Sequence, residues 1–457
     1  MFVESSSVAL GHDQNQLGGK VMLKKCTFFV LALLLVAGVF VPASFAEEPI
    51  KITVLNYFDL TSPGAEREIN EVWYEFSVRN PHIIVEREDL FLDAFHQKTE
   101  AYAAADMLPD VIYMWPGGRS TSLHTLGLVK DLRPLLGEDA KYYQEAVLAP
   151  QAGGFLAELP QTMTSSHALY VNVALLDSLG LSMPETYEEL VAMVPVLKEN
   201  GLDTILMGAQ DDWVIQSCLF SMIVGRLVGD EKLNEILAGE AKFTDPEFLS
   251  ALEFYAQMYE DGVLHRRIMQ TDYAEVNGLF ATGRAPFMVD GDWKVSNFLT
   301  DQTTGEALIP VDRQHEFKMT IFPAIPGEIN KASSSGVVGV GFGMNAKIPA
   351  GSAKEAAAWE LIKWLQGPEV QKMRLETAGT IPSRVDVTSD NIEPLVVERI
   401  RYYEDIAITT EVLDNIFQGE VYTPINIGLQ EIGLGFATPM EVAERIQEAF
   451  DDWFARQ

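Results

Sequence analysis

The chain is 457 residues long, carries 66 acidic against 33 basic residues, and has a formal net charge of −33. That charge repels phosphate backbones and anionic lipid, so nucleic acid and anionic lipid are poor candidate partners. Hydrophobic residues make up 47%, which excludes a disordered chain, and the length exceeds one ordinary core and predicts two domains.

Lys24 and Lys25 precede an apolar run from Phe28 to Val41, followed by Pro42 and Ala43-Ser44-Phe45-Ala46. A charged stretch, a short greasy stretch and a small-residue cleavage site are the grammar of a secretory signal peptide. The run falls short of the about 20 apolar residues that span a bilayer. Residues 1–46 are therefore read as leader and signal peptide, with the mature chain starting at Glu47 outside the cytoplasm, where ATP, NADH and reducing buffer are absent. Purine-rich codons for Gly18-Gly19-Lys20 can encode a ribosome-binding site, which motivates the hypothesis that translation starts at Met22. Secretion lost on mutating the Met1 codon would contradict it. Cys26 lies in the leader, so Cys218 is the one mature thiol, with neither a disulfide nor a thiolate metal site open to it. Its neighbours Leu219, Phe220 and Met222 are apolar, and it reads as a buried, inert hydrophobe. No lipid-attachment cysteine opens the mature chain, which favours a Gram-negative periplasm.

Ile50 to Leu55 alternate like a strand, polar residues from Asn56 to Pro63 form a loop, and Ile69, Val72, Trp73 and Phe76 fall at helical spacing. Ile83-Ile84-Val85 reads as a strand, Phe95 to Ala105 as a helix, and Pro109 to Met114 as entry into a third strand. This βαβαβ alternation predicts an open α/β sheet with ligand loops at the carboxyl ends of its strands, here 56–63 and 115–120. Thr186 and Glu189 predict a capping box for a helix ending near Gly201. Asp245 and Pro246 open another helix, closed by Gly262. Ala353 to Gln366 is an alanine-rich helix stopped by Gly367-Pro368, and Thr438, Pro439 and Glu441 open the last one. No linker separates two domains, so the chain is expected to cross between them more than once.

Motifs for nucleophilic, zinc, thiol-redox and nucleotide chemistry are absent. Gly339-Val340-Gly341-Phe342-Gly343 imitates part of a dinucleotide fingerprint but continues extended, so it reads as a strand whose glycines admit close backbone approach. The mature histidines 82, 96, 124, 167, 265 and 315 show no metal spacing and read as solvated or hydrogen-bonded. Asp211-Asp212 and Asp290/Asp292 are carboxylate pairs that a glycosidase would use, though 66 acidic residues make such pairs uninformative.

Tryptophan placement says more. Trp73, Trp359, Trp364 and Trp453 lie in helical stretches and are packing residues. Trp115, Trp213 and Trp293 sit instead in polar or glycine-rich segments: Met114-Trp115-Pro116-Gly117-Gly118-Arg119, Ala209-Gln210-Asp211-Asp212-Trp213 and Asp290-Gly291-Asp292-Trp293-Lys294. An indole covers the C–H face of a pyranose, while adjacent carboxylates, an amide and an arginine meet its hydroxyls.

With these segments in view, the chain resembles the extracellular solute-binding proteins of ABC transporters, in the sugar-binding group that includes maltose-binding protein. The resemblance spans nearly all of 50–457. It rests on Pro109-Asp110-Val111 entering Trp115; Leu169-Tyr170-Val171-Asn172 with Leu175-Leu176 and Leu179-Gly180-Leu181; Pro184 through Leu190; and Phe280 with Gly283 to Met288 and the Asp290–Trp293 turn. Further marks are Phe322-Pro323 with Pro326-Gly327, Gly339 through Met344, and Ala356–Gln366 with Gly379 and Pro382. It implies a two-lobed periplasmic-binding-protein fold (type II), each lobe a mixed sheet flanked by helices, joined by crossing hinge segments. The first lobe would be 47–163 plus 339–376, and the second 167–336 plus 380–457. The implied function is a monomeric, cofactor-free periplasmic receptor that closes on a carbohydrate and delivers it to membrane permease subunits. Trp115 would stack from the first lobe and Trp293 from the second, with Trp213 and Tyr422 as further aromatic positions. Tyr57 and Asp59 lie in the matching ligand loop. Arg119, Gln210, Asp211, Asp290, Asp292 and Gly336 complete the expected ligand set. The Pro116-Gly117-Gly118 run and Ser333–Gly336 depart from the maltose pattern, so the sugar does not carry over. Two rivals stay open: a same-fold receptor for a polyamine, phosphoglycerol or short peptide, and a secreted glycosidase.

Overall fold

The computed structural model of the chain describes residues 48–62, 64–115, 117, 121–148, 156–335 and 339–456. Strand β1 (Ile50–Tyr57) pairs in parallel with β2 (Ile83–Leu90) and β3 (Val111–Met114), with Ile50 opposite Ile83 and Val54 opposite Val111. The helices between them run over 65–79, with π-helical turns at Ile69–Tyr74, and over Asp93–Ala104. This is the βαβαβ unit read from the sequence. Two later pieces extend the same sheet: β4 (Glu158–Pro160) and β11 (Gly341–Met344), the latter antiparallel to both β3 and β4, giving the order β2-β1-β3-β11-β4.

Between β4 and β11 the chain builds a second sheet from β6 (Ala168–Asn172), β7 (Ile205–Leu206), β8 (Phe287–Asp290) and β9 (Phe317–Thr320), in the order β7-β8-β6-β9. Its alternation divides two cores. Leu169, Val171, Phe287 and Val289 point into the larger one with helices Pro246–Glu260, Gly419–Leu434 and Pro439–Phe454. Ala168, Tyr170 and Met288 point into the other, as side chains one residue apart on a strand must. The first sheet has its own core around Val54, Val72, Phe76, Phe342 and Leu361. The fold is thus a two-lobed α/β architecture, each lobe a mixed sheet flanked by helices.

Three stretches pass between the sheets. Short strand β5 (Thr162–Met163) leads into β6, β10 (Ser333–Ser335) leads toward β11, and β12 (Ile381–Pro382) pairs back on β5, while β10 pairs with β13 (Ile408–Thr410). The stretches are laced by buried hydroxyls. Ser165 Oγ lies 3.1 Å from Ser334 Oγ, 2.9 Å from Ser335 Oγ and 2.7 Å from Tyr402 OH. The serine run that looked anomalous in sequence is therefore interior. Gly339 is required where the chain re-enters the first lobe, since a Cβ there would sit 1.4 Å from Thr162 O. The glycines of this segment thus serve close approach rather than phosphate binding.

The helix signals behave as chemistry predicts, with two refinements. Thr438 Oγ1 accepts from Glu441 N while Glu441 accepts from Thr438 N, a complete capping box. Thr186 Oγ1 accepts from Glu189 N, but Glu189 reaches back to Glu185 N, one residue early. Asp245 stands at the expected N-cap, yet its carboxylate accepts from Lys242 N, closing the preceding turn instead. Trp73, Trp359 and Trp453 are buried and Trp364 donates to Val72 O, all packing roles. Cys218 is buried and burial pushes its thiol well up, so it is inert at neutral pH. Of the histidines, His124 and His167 are interior. Burial, then the nearby Arg226 charge, drives His167 down to about 3 and keeps it neutral.

Candidate functional site

Because β1 and β3 are parallel neighbours, their carboxyl ends deliver Tyr57 and Trp115 side by side. The rings meet edge to face with centroids 4.8 Å apart. Helix Asp93–Ala104 adds Phe95 and His96 to the same cluster, His96 lying 5.0 Å from the Trp115 ring, and Tyr113 supports it from below at 5.0 Å. Both Tyr57 and Trp115 keep part of their surface in solvent. Asp59 Oδ1 accepts from Thr61 N at 2.8 Å and from Thr61 Oγ1 at 2.6 Å, which folds the loop after β1. A second polar group stands at the same sheet edge. Asn56 donates to Asp89 at 2.9 Å, and Arg87 pairs with Asp89 at 2.8 Å while stacking 4.6 Å from the Trp73 ring. The sequence reading passed over Arg87 and Asp89; their position at the end of β2, level with Asn56, was the available signal.

The second cluster belongs to the other lobe. Trp213 opens the helical segment Trp213–Ile215, and Trp293 stands in the 3₁₀ turn Asp292–Asn297 directly after β8. Their rings lie 6.3 Å apart at 37°. Tyr273, which the sequence reading did not include, joins them. Its ring is 5.1 Å from Trp213, and its hydroxyl accepts from Trp293 Nε1 at 2.7 Å. A tyrosine in the acidic Thr271-Asp272-Tyr273 loop offered no distinguishing sequence pattern. Gln210 is exposed, Asp211 half-exposed, and the Gln210 backbone is fixed by Thr271 O and by Gln430. Tyr422 lies half-buried in the first turns of Gly419–Leu434, a helix that packs on the Trp213 segment.

Asp290 and Asp292 correct the expectation that they face a ligand. Both are fully buried. Asp292 accepts from Ser165 N at 3.1 Å and Tyr403 OH at 2.5 Å, and forms an ion pair with Arg399 at 2.9 Å. It is an internal brace beside a crossing segment. Asp290 sits under Tyr273 and Trp293, with Lys294 Nζ 3.9 Å away. Burial lifts its carboxyl to about 6, against the opposing Lys294 charge and the Gly291 N–H. Both carboxylates turn inward, whereas a reading by sequence adjacency to Trp293 placed them beside the indole. Arg119 and Gly336 lie outside the described residues.

Two observations relate the clusters. Gly117, two residues past Trp115 with φ +69°, approaches the lobe-two segment Leu413–Ile416 so closely that a Cβ would lie 2.4 Å from Asn415 O. Tyr57 also acts electrostatically on Tyr273, whose hydroxyl is pushed well up by burial first, then by Asp290 and Cys218. The Tyr57–Trp115 and Trp213–Tyr273–Trp293 groups therefore belong to one neighbourhood, with polar backbone and carboxylates around aromatic faces. Among the described residues no His, Cys, Asp and Glu group has the arrangement of a metal site.

Aromatic side chains thus gather at the strand ends of both lobes of a two-lobed α/β fold. Residues 74–395 match the bacterial extracellular solute-binding protein family, and the chain belongs to that family. Solved structures of the same fold include a chitin oligosaccharide binding protein, 20% identical, with TM-score 0.76 over 88% of this chain and 98% of that one. Maltose-bound MalE3 of T. maritima is 21% identical, with TM-score 0.69 over 88% and 100%. MalE from Bdellovibrio bacteriovorus bound to maltotriose is 18% identical, with TM-score 0.67 over 89% and 100%.

Proposed function

We propose that this protein is the periplasmic carbohydrate-binding component of an ABC importer, secreted through its N-terminal leader. Its lobes, 47–163 with 339–376 and 167–336 with 380–457, close on a sugar and present it to the permease. The observation that carries this reading is the pair of half-exposed aromatic groups, Tyr57–Trp115 and Trp213–Trp293, on opposite lobes. Flat apolar rings beside Asp59, Gln210 and Asp211 suit the alternating C–H and hydroxyl faces of a pyranose. Tyr422 extends the aromatic wall, and Arg119 and Gly336 remain part of the proposed ligand set. A sugar touching both lobes contributes contacts that only the closed form offers, so it shifts the population toward closure by that differential affinity. No bond is made or broken in this scheme. With the two buried aspartates withdrawn from the crevice, the carboxylate pair Asp290/Asp292 no longer supports the glycosidase alternative.

A thermal-shift screen tests the proposal. Xylo-, chito- and malto-oligosaccharides, raffinose and galactose form one arm, and spermidine, glycerol 3-phosphate and a tripeptide the other. A shift from at least one sugar and none from the second arm is expected; the reverse pattern, or release of chromophore from a nitrophenyl glycoside, would replace it. Gly117 offers a test of closure. Gly117→Ala places a methyl against the Asn415 backbone and strains a left-handed residue, which by itself costs about 1–2 kcal/mol. The expected result is about a tenfold loss of sugar affinity and a larger radius of gyration with sugar bound. Wild-type values in both calorimetry and small-angle scattering would contradict it.

A further inference from the structure

Beneath the second aromatic cluster lies a fully buried carboxylate that the ligand scheme does not use. Asp290 ends β8, and its Oδ1 accepts from Gly291 N at 2.7 Å. The same oxygen faces Tyr273 OH at 3.5 Å, the long limit of a hydrogen bond, and that hydroxyl accepts from Trp293 Nε1 at 2.7 Å. The result is a relay of three groups running from the interior to an indole at the surface. Oδ2 finds no hydrogen-bond partner among the described residues, and its nearest cation is Lys294 Nζ at 3.9 Å. That ammonium is itself engaged, donating to Tyr273 O at 2.5 Å with its nitrogen 3.2 Å from the Tyr273 ring centre.

We propose that Asp290 is a positioning residue: its ionised carboxylate orients the Tyr273 hydroxyl, which in turn fixes the Trp293 indole, so that the second-lobe aromatic wall is ordered above mildly acidic pH and loosened below it. The relay has a direction. An ionised Asp290 is an acceptor only, so the tyrosine proton points inward and its lone pair is left to receive the indole N–H. A charged acceptor also makes the stronger hydrogen bond. Once protonated, the carboxyl is a weaker acceptor and carries a donor of its own, and the inward pull on Tyr273 ends.

The surroundings place this change in the mildly acidic range. Burial, against Lys294 and the Gly291 N–H, raises Asp290 to about 6. The other groups facing it are Cys218 from the segment Gln216–Phe220, with Sγ 3.8 Å away, and Tyr273; burial first, then Asp290, pushes both well up, so neither ionises in this range. Lys294 is lowered by burial and held up by Asp290, with Asp272 and Asp211 behind it. Asp414 acts on Cys218, and Tyr170 on β6 feels Asp292, Arg399 and Asp290.

The proposal rests on the sugar-binding reading for its consequence but not for its first test. Tryptophan fluorescence of the full secreted chain is titrated without ligand, in a Trp115→Phe background. That substitution removes the indole next to His96, whose imidazole belongs to a class that titrates in the same range. A step with midpoint near about 6 is expected, absent in Asp290→Asn and also in Tyr273→Phe, which keeps the carboxyl but cuts the relay. A flat profile in the parent, or an unchanged step in both variants, overturns the proposal. In the second arm, calorimetry with xylotriose, maltotriose, chitotriose and raffinose compares pH 7.5 with pH 5; about fivefold weaker binding at the lower pH is expected, the small end of coupling between two sites. That ratio should collapse to one in Asp290→Asn. If none of these sugars binds, the sugar-binding reading fails on its own, and the fluorescence step still decides the role of Asp290.

Discussion

Truncating Trp293 to alanine is expected to weaken sugar binding by about 2 kcal/mol or more, roughly thirtyfold in Kd, if the ring behaves as a buried aromatic hot spot. The indole presents half-exposed apolar surface next to Trp213 at 6.3 Å, so its removal breaks a two-ring wall, not an isolated contact. Its N–H is spent internally on Tyr273 OH, so the ring is held in one orientation before ligand arrives. A preorganised ring loses little freedom on binding and delivers more of its contact energy as affinity. Trp293→Phe separates the contributions: it keeps an aromatic face and gives up the N–H, so its loss should fall between wild type and alanine. Trp364→Phe, in the first-lobe core with its N–H on Val72 O, should leave affinity unchanged. Calorimetry with the sugar giving the largest thermal shift decides the matter. An unchanged Kd for Trp293→Ala would remove the main support of the proposed function.

The contrast between Trp293 and its flanking aspartates shows what kind of information a linear reading holds. Strands and helices were legible because they follow from local periodicity and caps, as in the alternation of Ile50–Leu55 and the Thr438–Glu441 box, whereas the crossing between lobes was expected from the missing linker and from the family resemblance. The loop tryptophans were legible because an indole in a polar segment is chemically out of place. Burial of polar residues was not. Asp290 and Asp292 sit in the same short segment as Trp293, but the inward direction of Asp292 depends on partners over a hundred positions away in sequence, Arg399, Tyr403 and Ser165, and that of Asp290 on Cys218 and Tyr273. Tyr273 was missed for the same reason, since its role is defined by Trp293 and Asp290 and not by its neighbours in the chain. Ser333–Ser335 stood out in the sequence only as a departure from the maltose pattern, and nothing local to the run marks it as interior. Only the pairing of β10 with β13 and the hydroxyls of Ser165 and Tyr402 make that run interior.

Arg399→Met is expected to cost about 3–5 kcal/mol of stability, the penalty for stranding one member of a buried ion pair. Asp292 is fully buried and Arg399 nearly so. Burial works against the Arg399 charge, yet Asp292 and Tyr403 outweigh it and hold the guanidinium above its ordinary value, so Arg399 stays charged throughout the physiological range. Removing the guanidinium leaves the carboxylate with Ser165 N and Tyr403 OH but no counter-charge, and also frees the Gly379 carbonyl that Arg399 Nη1 bonds at 2.8 Å. Ser165 and Gly379 belong to two different crossings between the lobes, so the pair ties both to helix Pro394–Asp405. Urea unfolding should show the lower midpoint. The double variant Asp292→Leu/Arg399→Met should recover part of the loss, because replacing both charges by apolar groups removes the stranded ion. Asp292→Asn discriminates between brace and ligand contact. A brace predicts a lowered unfolding midpoint with sugar affinity retained in the folded fraction, whereas a hydroxyl ligand predicts a normal midpoint and lost affinity. The second outcome would return Asp292 to the crevice.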